Sequence, residues 1–469
     1  MKTKARKSCP NCRRLEARLA ALEATVARLQ EQLATARKNS ATSSKPPSSD
    51  IVKPPKPAPP DGQAQRKIGG QPGHAKHERD PFPPEAVNAG FFDHRIGSCP
   101  RCGHGLKPAL WSEPRVIQQV DIQETPLSIQ EHRSHPGWCP CCEKLYEAPL
   151  PIGIKCGGLV GPRLTTMIAY LKGVCHASFS TVRTYVRDVL RVTISRSQLA
   201  VIIGKVTRAL EQPYQELFDR LPDQERLNID ETGHKQNRVA MWTWCFRAEL
   251  YTLFKIDPTR STNVLINALG TEFEGVVGCD YFSSYRSYLR RFDVKMQFCL
   301  AHLIRDVKFL TTLPDARDRA YGERLRQALK GLFAVIHRRG QISDELFQVE
   351  LKLARADVLR CGMTNVPATR HSRNMANRFE NHGKSYFQFI TTPGVEPTNN
   401  LAEQAIRFVV IDRRITQGTR SDGGNRWCER IWTVIATCTQ QGRSVFEYLE
   451  AVVGAWFDGT EPPLLLPEV

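Results

Sequence analysis

The chain lacks any run of 18 apolar residues, so no membrane-spanning helix is expected. Residues Met1 to Lys7 are charged, and no apolar stretch follows them, which argues against a secretory leader. Acid is in deficit: 48 Asp plus Glu stand against 66 Lys plus Arg, a net charge of +18. That surplus favours a polyanionic partner, and nucleic acid is the usual one. Without a leader, the fifteen cysteines point to reduced thiols and metal ligation inside a cell, not to a disulfide framework. A length of 469 residues implies two to four domains.

What is present begins with a seam. Leu15, Leu19, Leu22, Val26, Leu29 and Leu33 are spaced alternately four and three apart. Leu19, Val26 and Leu33 occupy one core position of a heptad, and Leu15, Leu22 and Leu29 the other. Residues 1–38 are therefore expected to form a coiled coil that pairs chains into a homo-oligomer. Cys9 and Cys12 precede it, either sharing a metal with a second chain or remaining free thiols. Residues 39–90 read as a linker, with Pro46, Pro47, Pro54, Pro55, Pro57, Pro59 and Pro60 crowding one stretch. Residues 1–67 carry 15 basic against 5 acidic residues, enough charge to follow a phosphate backbone.

Residues 91–150 read as a zinc module. Cys99 and Cys102 form one C-x2-C knuckle, and Cys139 and Cys142 a second, with 36 residues between them. Two knuckles complete a closed four-thiolate site for one structural Zn²⁺. Cys141 is a spare that could replace Cys142. Arg115–Ile122 and Leu127–His132 are expected to supply a hairpin. Residues 155–224 read as helical, with Ser195 capping a helix that buries Leu199, Ile202, Ile203, Val206 and Leu210. Its basic residues suit either a helix-turn-helix or a plain bundle on the next domain.

From residue 225 the pattern changes to strands: Leu227–Asp230, Ala240–Ala248, Leu250–Ile256, Val276–Asp280 and Val294–Cys299. Three antiparallel strands, a helix, a strand, a helix and a strand form the order of an RNase H-like mixed sheet. The expected class is thus multidomain, with an α+β RNase H-like core over 225–445, a helical insertion at about 301–395 and a C-terminal tail at 446–469. Two strand runs stop on carboxylates, Asp230 and Asp280. Glu403 sits at a helix start, sharing a face with Asn400 and Arg407 beside a buried face of Leu401, Ala405 and Phe408. Two strand-end carboxylates and a helix carboxylate can converge on a pair of divalent cations, an arrangement suited to in-line phosphoryl transfer. The pair Cys299 and His302 is more often a core contact than a zinc site.

These motifs resemble the DDE transposases of the insertion sequence sixty-six family. The matching pieces include the heptads, residues Ser43 to Asp50, Gly69 to His74, the double-knuckle module, Asp230-Glu231-Thr232, Cys279-Asp280, Cys299 to His302, and Pro397 to Glu403. Gln404 departs from the basic residue expected there. The resemblance implies a catalytic triad of Asp230, Asp280 and Glu403 holding two Mg²⁺, and cleavage of double-stranded DNA at element ends with joining of 3′ hydroxyls to target. It also implies a cytoplasmic, nucleoid-associated protein with accessory transposition proteins as candidate partners and no membrane. The rival readings are a zinc-bearing DNA-binding protein derived from a transposase and a structure-selective nuclease.

Overall fold

The computed structural model describes residues 10–39, 42, 83–86, 101–102, 127–132, 136–141, 144–147 and 152–466. It divides into two compact units, Pro55–Glu131 and the combination of Met1–Pro54 with His132–Val469. In the smaller unit the described residues form a 3-10 turn at Pro84–Ala86, a turn at Arg101 and Cys102, and a segment at 127–131 without regular structure. The strand expected at Leu127–His132 is therefore not formed. Cys9, Cys99, Cys142 and the strand expected at Arg115–Ile122 lie outside the described residues.

The larger unit opens with helix α1, Pro10–Ala36. Ala, Leu, Glu, Gln and Arg dominate it, all strong helix formers. Its six seam residues are each at least 50% exposed in the single chain. Toward its C-terminal end Glu31 lies 3.0 Å from His371, and just past the helix the Lys38 ammonium sits over the Phe309 ring. A short antiparallel hairpin follows, β1 (Pro136–Cys139) and β2 (Lys144–Glu147), with Cys139 opposite Lys144. Cys139 of the second knuckle thus closes a hairpin strand, downstream of where the hairpin was expected.

Five helices come next: α2 (Ile152–Gly157), α3 (Pro162–Gly173), α4 (Phe179–Asp188), α5 (Arg196–Ala209) and α6 (Glu211–Asp219). Their starts are written locally. Pro162 opens α3, Ser178 caps α4, and Ser195 with Gln198 forms a capping box on α5. The buried stripe of α5 is Leu199, Ile202, Ile203 and Val206, with helical spacing.

The sheet contains β3 (Arg226–Gln236), β4 (Val239–Arg247), β5 (Thr252–Asp257), β6 (Val276–Cys279) and β7 (Lys295–Phe298), in the order β5-β4-β3-β6-β7. β3, β4 and β5 are antiparallel, while β6 and β7 run parallel to β3. Helix α7 (Thr262–Leu269) links β5 to β6, and α8 (Ser283–Phe292) links β6 to β7. Parallel neighbours need such crossovers. Between β7 and the next core helix lie α9 (Leu300–Leu310), α10 (Ala316–Ile336), α11 (Asp344–Met363), α12 (Arg370–His382) and α13 (Gln388–Thr391). Three helices close the fold: α14 (Asn400–Thr416), α15 (Asp422–Gln440) and α16 (Val445–Asp458). The α+β core expected from the sequence is present.

Both faces of the sheet are covered, which is why Thr243, Trp244, Cys245 and Phe246 are all buried in succession. On one face Tyr285 of α8 meets Trp244 edge-on. On the other, α14 sends Arg413 to the Thr232 hydroxyl at 3.0 Å, and Trp432 of α15 meets His234. Helix α15 also covers the outer edge of β5. Thr437, Thr433 and Glu429 accept from the backbone N–H groups of Thr252, Phe254 and Ile256 at 3.2, 3.0 and 2.6 Å. Four helical residues advance about 6 Å and two strand residues about 6.8 Å, so three rungs stay in register. Helix α15 then packs on the helices before the sheet. Arg430 donates to the Thr207 carbonyl and pairs with Glu211, both at 2.6 Å. A Cβ on Gly173 would lie 2.5 Å from Ile431, so α3 needs glycine there.

Candidate active site

Asp230 does not end its strand. β3 runs six residues further as one arm of the β3–β4 hairpin. The parallel ladder to β6, however, stops at Asn228 opposite Gly278. Asp230 therefore stands just past the end of its parallel neighbour, and Asp280 is the first residue after that neighbour ends. Strand length misled the sequence reading, because the hairpin arm beyond Asp230 is polar: Glu231, Thr232, His234, Lys235 and Gln236.

Glu403 is delivered by a buried asparagine at the head of α14. Asn399 is 1% exposed. Its Nδ2 donates to the Ile229 carbonyl at 2.8 Å, its Oδ1 accepts from Asn228 Nδ2 at 2.9 Å, and its backbone N–H points to Cys299 Sγ at 3.2 Å. One residue thus ties the helix to β3 on one side and to the end of β7 on the other. Asn400, singled out by its place on the face of Glu403, is exposed. The buried stripe is likewise one residue on from the expected Leu401, Ala405 and Phe408: it is Ala402, Ile406, Val409 and Asp412. Large apolar size suggested Leu401, whereas the helix presses on the sheet with small Ala402.

The three carboxylates lie within one electrostatic neighbourhood. Burial first, and then the negative charges of Glu231 and Asp280, hold the Asp230 carboxyl well above the usual carboxylate range. Asp280 is also raised, by burial, with Asp306 and Glu403 adding to the rise and Arg260 opposing it. Its Oδ1 accepts from the Phe282 N–H at 2.9 Å, which fixes the carboxylate at the turn. Glu403 has His302 Nε2 at 3.5 Å from one oxygen and Arg305 at 4.0 Å from the other. Burial, then Arg305, pushes the His302 imidazole down to about 4, so it is neutral at pH 7. No hydrogen bond reaches Glu403 Oε1 or His302 Nδ1 among the described residues.

The ligand atoms of Cys299, His302 and Glu403 all lie within 4.8 Å of one another. The C-x2-H pair thus acquires a third ligand type from a helix a hundred residues away, which spacing along the chain could not show. Its sulfur is engaged by the Asn399 N–H, and burial raises the thiol.

Two further residues were given no role in the sequence reading. Glu231 faces away from Asp230, fully buried, and takes a hydrogen bond from Tyr285 and an ion pair from Arg260. Burial and Asp280 push it up to about 7. Arg260 continues past it to within 3.7 Å of Asp280 and lies over the Phe282 ring. It is the cation that joins the two carboxylates around the sheet's end. Of the expected zinc ligands, Cys102 lies in an exposed turn and Cys139 closes β1.

The family model for the Transposase IS66 family matches residues 157–426, from the end of α2 into α15. The chain belongs to the transposase IS66 family. All three carboxylates, Arg260 and Asn399 lie within the matched region of this IS66-family transposase. A family of unknown function matches residues 5–80, which span α1 and the Pro-rich stretch. No curated protein matches the chain. Among the described residues no helix is long and apolar enough to cross a membrane.

Proposed function

We propose that this transposase cleaves DNA at the ends of its element and joins the 3′ hydroxyls to target DNA, using Asp230, Asp280 and Glu403 on an RNase H-like core. The observation that carries the reading is the convergence of those three carboxylates from β3, the end of β6 and α14. The sheet order, with three antiparallel strands flanked by two parallel ones, supports the fold assignment.

The residues suit divalent magnesium. Asp230 and Asp280 are half-buried with like charges beside them, and Glu403 keeps a buried oxygen without a hydrogen bond. Hard oxygen donors of this kind favour Mg²⁺, and the charge excess is what cations would relieve. Asp230 and Asp280 would hold two Mg²⁺, with Glu403 completing one shell. Held by these carboxylates, Mg²⁺ would supply activation of the attacking oxygen and charge stabilisation of the leaving one. The protein's own part is placement: Phe282 orients Asp280, Asn399 sets the helix that bears Glu403, and Arg260 holds Asp280 at the rim. Water attacks first and the DNA 3′ hydroxyl second, and no covalent enzyme intermediate is required.

The knuckle spacing supports a structural Zn²⁺ on Cys99, Cys102, Cys139 and Cys142. The net charge of +18 supports duplex DNA as partner, and the open seam of α1 supports pairing of two chains. The test is Mg²⁺-dependent cleavage and joining with DNA carrying the inverted repeats that flank the reading frame. Single Ala replacements at Asp230, Asp280 and Glu403 should abolish both steps and leave end binding intact. Near-normal strand transfer by Glu403→Ala would sink the assignment.

A further inference from the structure

Immediately after Asp280 the chain enters the wall of a second, separate recess. Tyr281, α8 and α12 line an open cavity of about 760 Å³, a size within the roughly 300–1,000 Å³ of small-molecule sites. Its lining is unlike theirs. Arg286 and Arg290 come from α8, and Asn374, Asn377 and Asn381 from successive turns of α12. No carboxylate lines it. Arg378 at the back is paired with Asp306 at 2.7 Å, but no ion pair forms to Arg286 or Arg290 among the described residues. The guanidiniums of Arg286 and Arg378 each lie 4.6 Å from the Tyr281 ring centre, which fixes that wall. Burial, followed by the charges of Arg286 and Arg290, holds the His382 imidazole at the rim below its ordinary value.

Two unpaired guanidiniums call for an anion. Three asparagines add something a bare phosphate does not use. Asn374 and Asn377 each offer an amide donor and an amide acceptor side by side, the pattern that matches the hydrogen-bonding edge of a base, while Asn381 donates one amide hydrogen to the Asn377 carbonyl at 2.9 Å and keeps its oxygen for a ligand. Spaced three and four apart, they share one face of α12. A paired base shows only its groove edge, whereas an unpaired base can also offer its Watson–Crick edge to these amides.

We propose that this recess is a nucleotide subsite that takes an unpaired DNA nucleotide, with phosphate on Arg286 and Arg290 and the base edge on Asn374, Asn377 and Asn381. It rests on the reading of Asp280 as catalytic, because the recess starts one residue from it. The unpaired nucleotide would therefore lie next to the cleaved phosphate, and the transposase would prefer frayed or overhanging ends to blunt ones.

The test uses the full chain in magnesium-free buffer and two fluorescein-labelled probes of one arbitrary sequence. One is a blunt 30-base-pair duplex, and the other carries a four-nucleotide 3′ overhang. The wild-type protein should bind the overhang probe more tightly. Asn374→Ala, Asn377→Ala and Asn381→Ala combined should cost on the order of tenfold on the overhang probe, the scale of one or two base-edge contacts. The same variant should stay within about twofold on the blunt probe. All three are exposed, so an unchanged thermal midpoint is expected. Asn377→Asp, which removes the amide donor at the base edge and brings a negative charge into the recess, should also weaken the overhang probe. Arg286→Ala with Arg290→Ala should lower the salt slope of overhang binding by about two, from two lost phosphate contacts. Equal losses on both probes, no loss on either, or a wild type indifferent to the overhang would each overturn the subsite. Asp280→Ala must retain the overhang preference. A protein that keeps the Asn-dependent preference but cuts no DNA would refute the catalytic reading and leave the subsite standing, and the converse result would do the opposite.

Discussion

Asn399→Ala tests how Glu403 is held. The side chain is 1% exposed and makes two hydrogen bonds, to the Ile229 carbonyl and from the Asn228 amide. Truncation deletes both and strands their partners in a closed interior. Each group left unpaired costs about 1–3 kcal/mol, so the total is roughly 2–6 kcal/mol. Asn228 is only partly buried, which places the expectation toward the lower end. The head of α14 would lose its side-chain tie to β3 and keep only the backbone contact of residue 399 to Cys299 Sγ. A catalytic group displaced by about 1 Å can lose on the order of a hundredfold in rate. Asn400→Ala is the matched control, since Asn400 is exposed and should stay within about 0.5 kcal/mol. The assays are the urea midpoint and Mg²⁺-dependent joining on the same preparations. If Asn399→Ala matched the wild type in both, or if Asn400→Ala were the worse of the two, the account of Glu403 placement would be wrong.

Glu429 gives a pH signature. Burial raises its folded carboxyl from 4.5 to about 7, so the stability it contributes is fully present below about pH 4.5 and is lost as pH climbs through about 7. Glu429→Gln keeps an acceptor for the Ile256 N–H and should flatten that loss, gaining up to about 3 kcal/mol at pH 8; parallel pH–melting curves for both proteins would expose the error. For the zinc module, metal analysis should find one zinc per chain, and a chelator should make Cys99, Cys102, Cys139 and Cys142 alkylate readily; zinc-free protein with freely reactive thiols in the native state contradicts it. Leu22→Glu with Leu29→Glu should convert a dimer to a monomer by burying unpaired carboxylates in the α1 seam, and an unchanged solution mass would remove pairing through that seam. Arg260→Ala should leave Glu231 without its cation and lower joining activity, with partial recovery in Arg260→Lys; full activity in the Ala variant would exclude a positioning role.

The core was legible where the chain announces itself locally. Short apolar runs marked β6 and β7, the run Ala240–Ala248 marked β4, and Ser195 marked the start of α5. Asp230, Asp280 and Glu403 could be proposed as a set because two carboxylates follow apolar runs and the third opens a helix. What could not be read was contact across sequence. Asn399 and Asn400 are the same residue type side by side, and only the position of β3 decides which is buried. Glu231 looked like one more acid in a polar stretch, because its partners Arg260 and Tyr285 come from 29 and 54 residues away. Ala402 was passed over for Leu401, since residue size says little where a helix lies close against a sheet. The extent of β3 was underestimated because a hairpin arm with polar side chains carries no apolar period.

The three rungs from α15 to β5 have a consequence during synthesis. The N–H groups of Thr252, Phe254 and Ile256 must wait for partners 173 to 185 residues further along. At 5–20 residues per second that interval is roughly 10–35 s. Throughout it a nascent sheet carries an open edge, the form most prone to pairing with another chain. A ribosome that stalls anywhere within the helical insertion leaves that edge bare. Messages truncated before Glu429 should therefore yield aggregates and not soluble half-proteins, and a chaperone that shields strand edges should raise the yield of the complete chain.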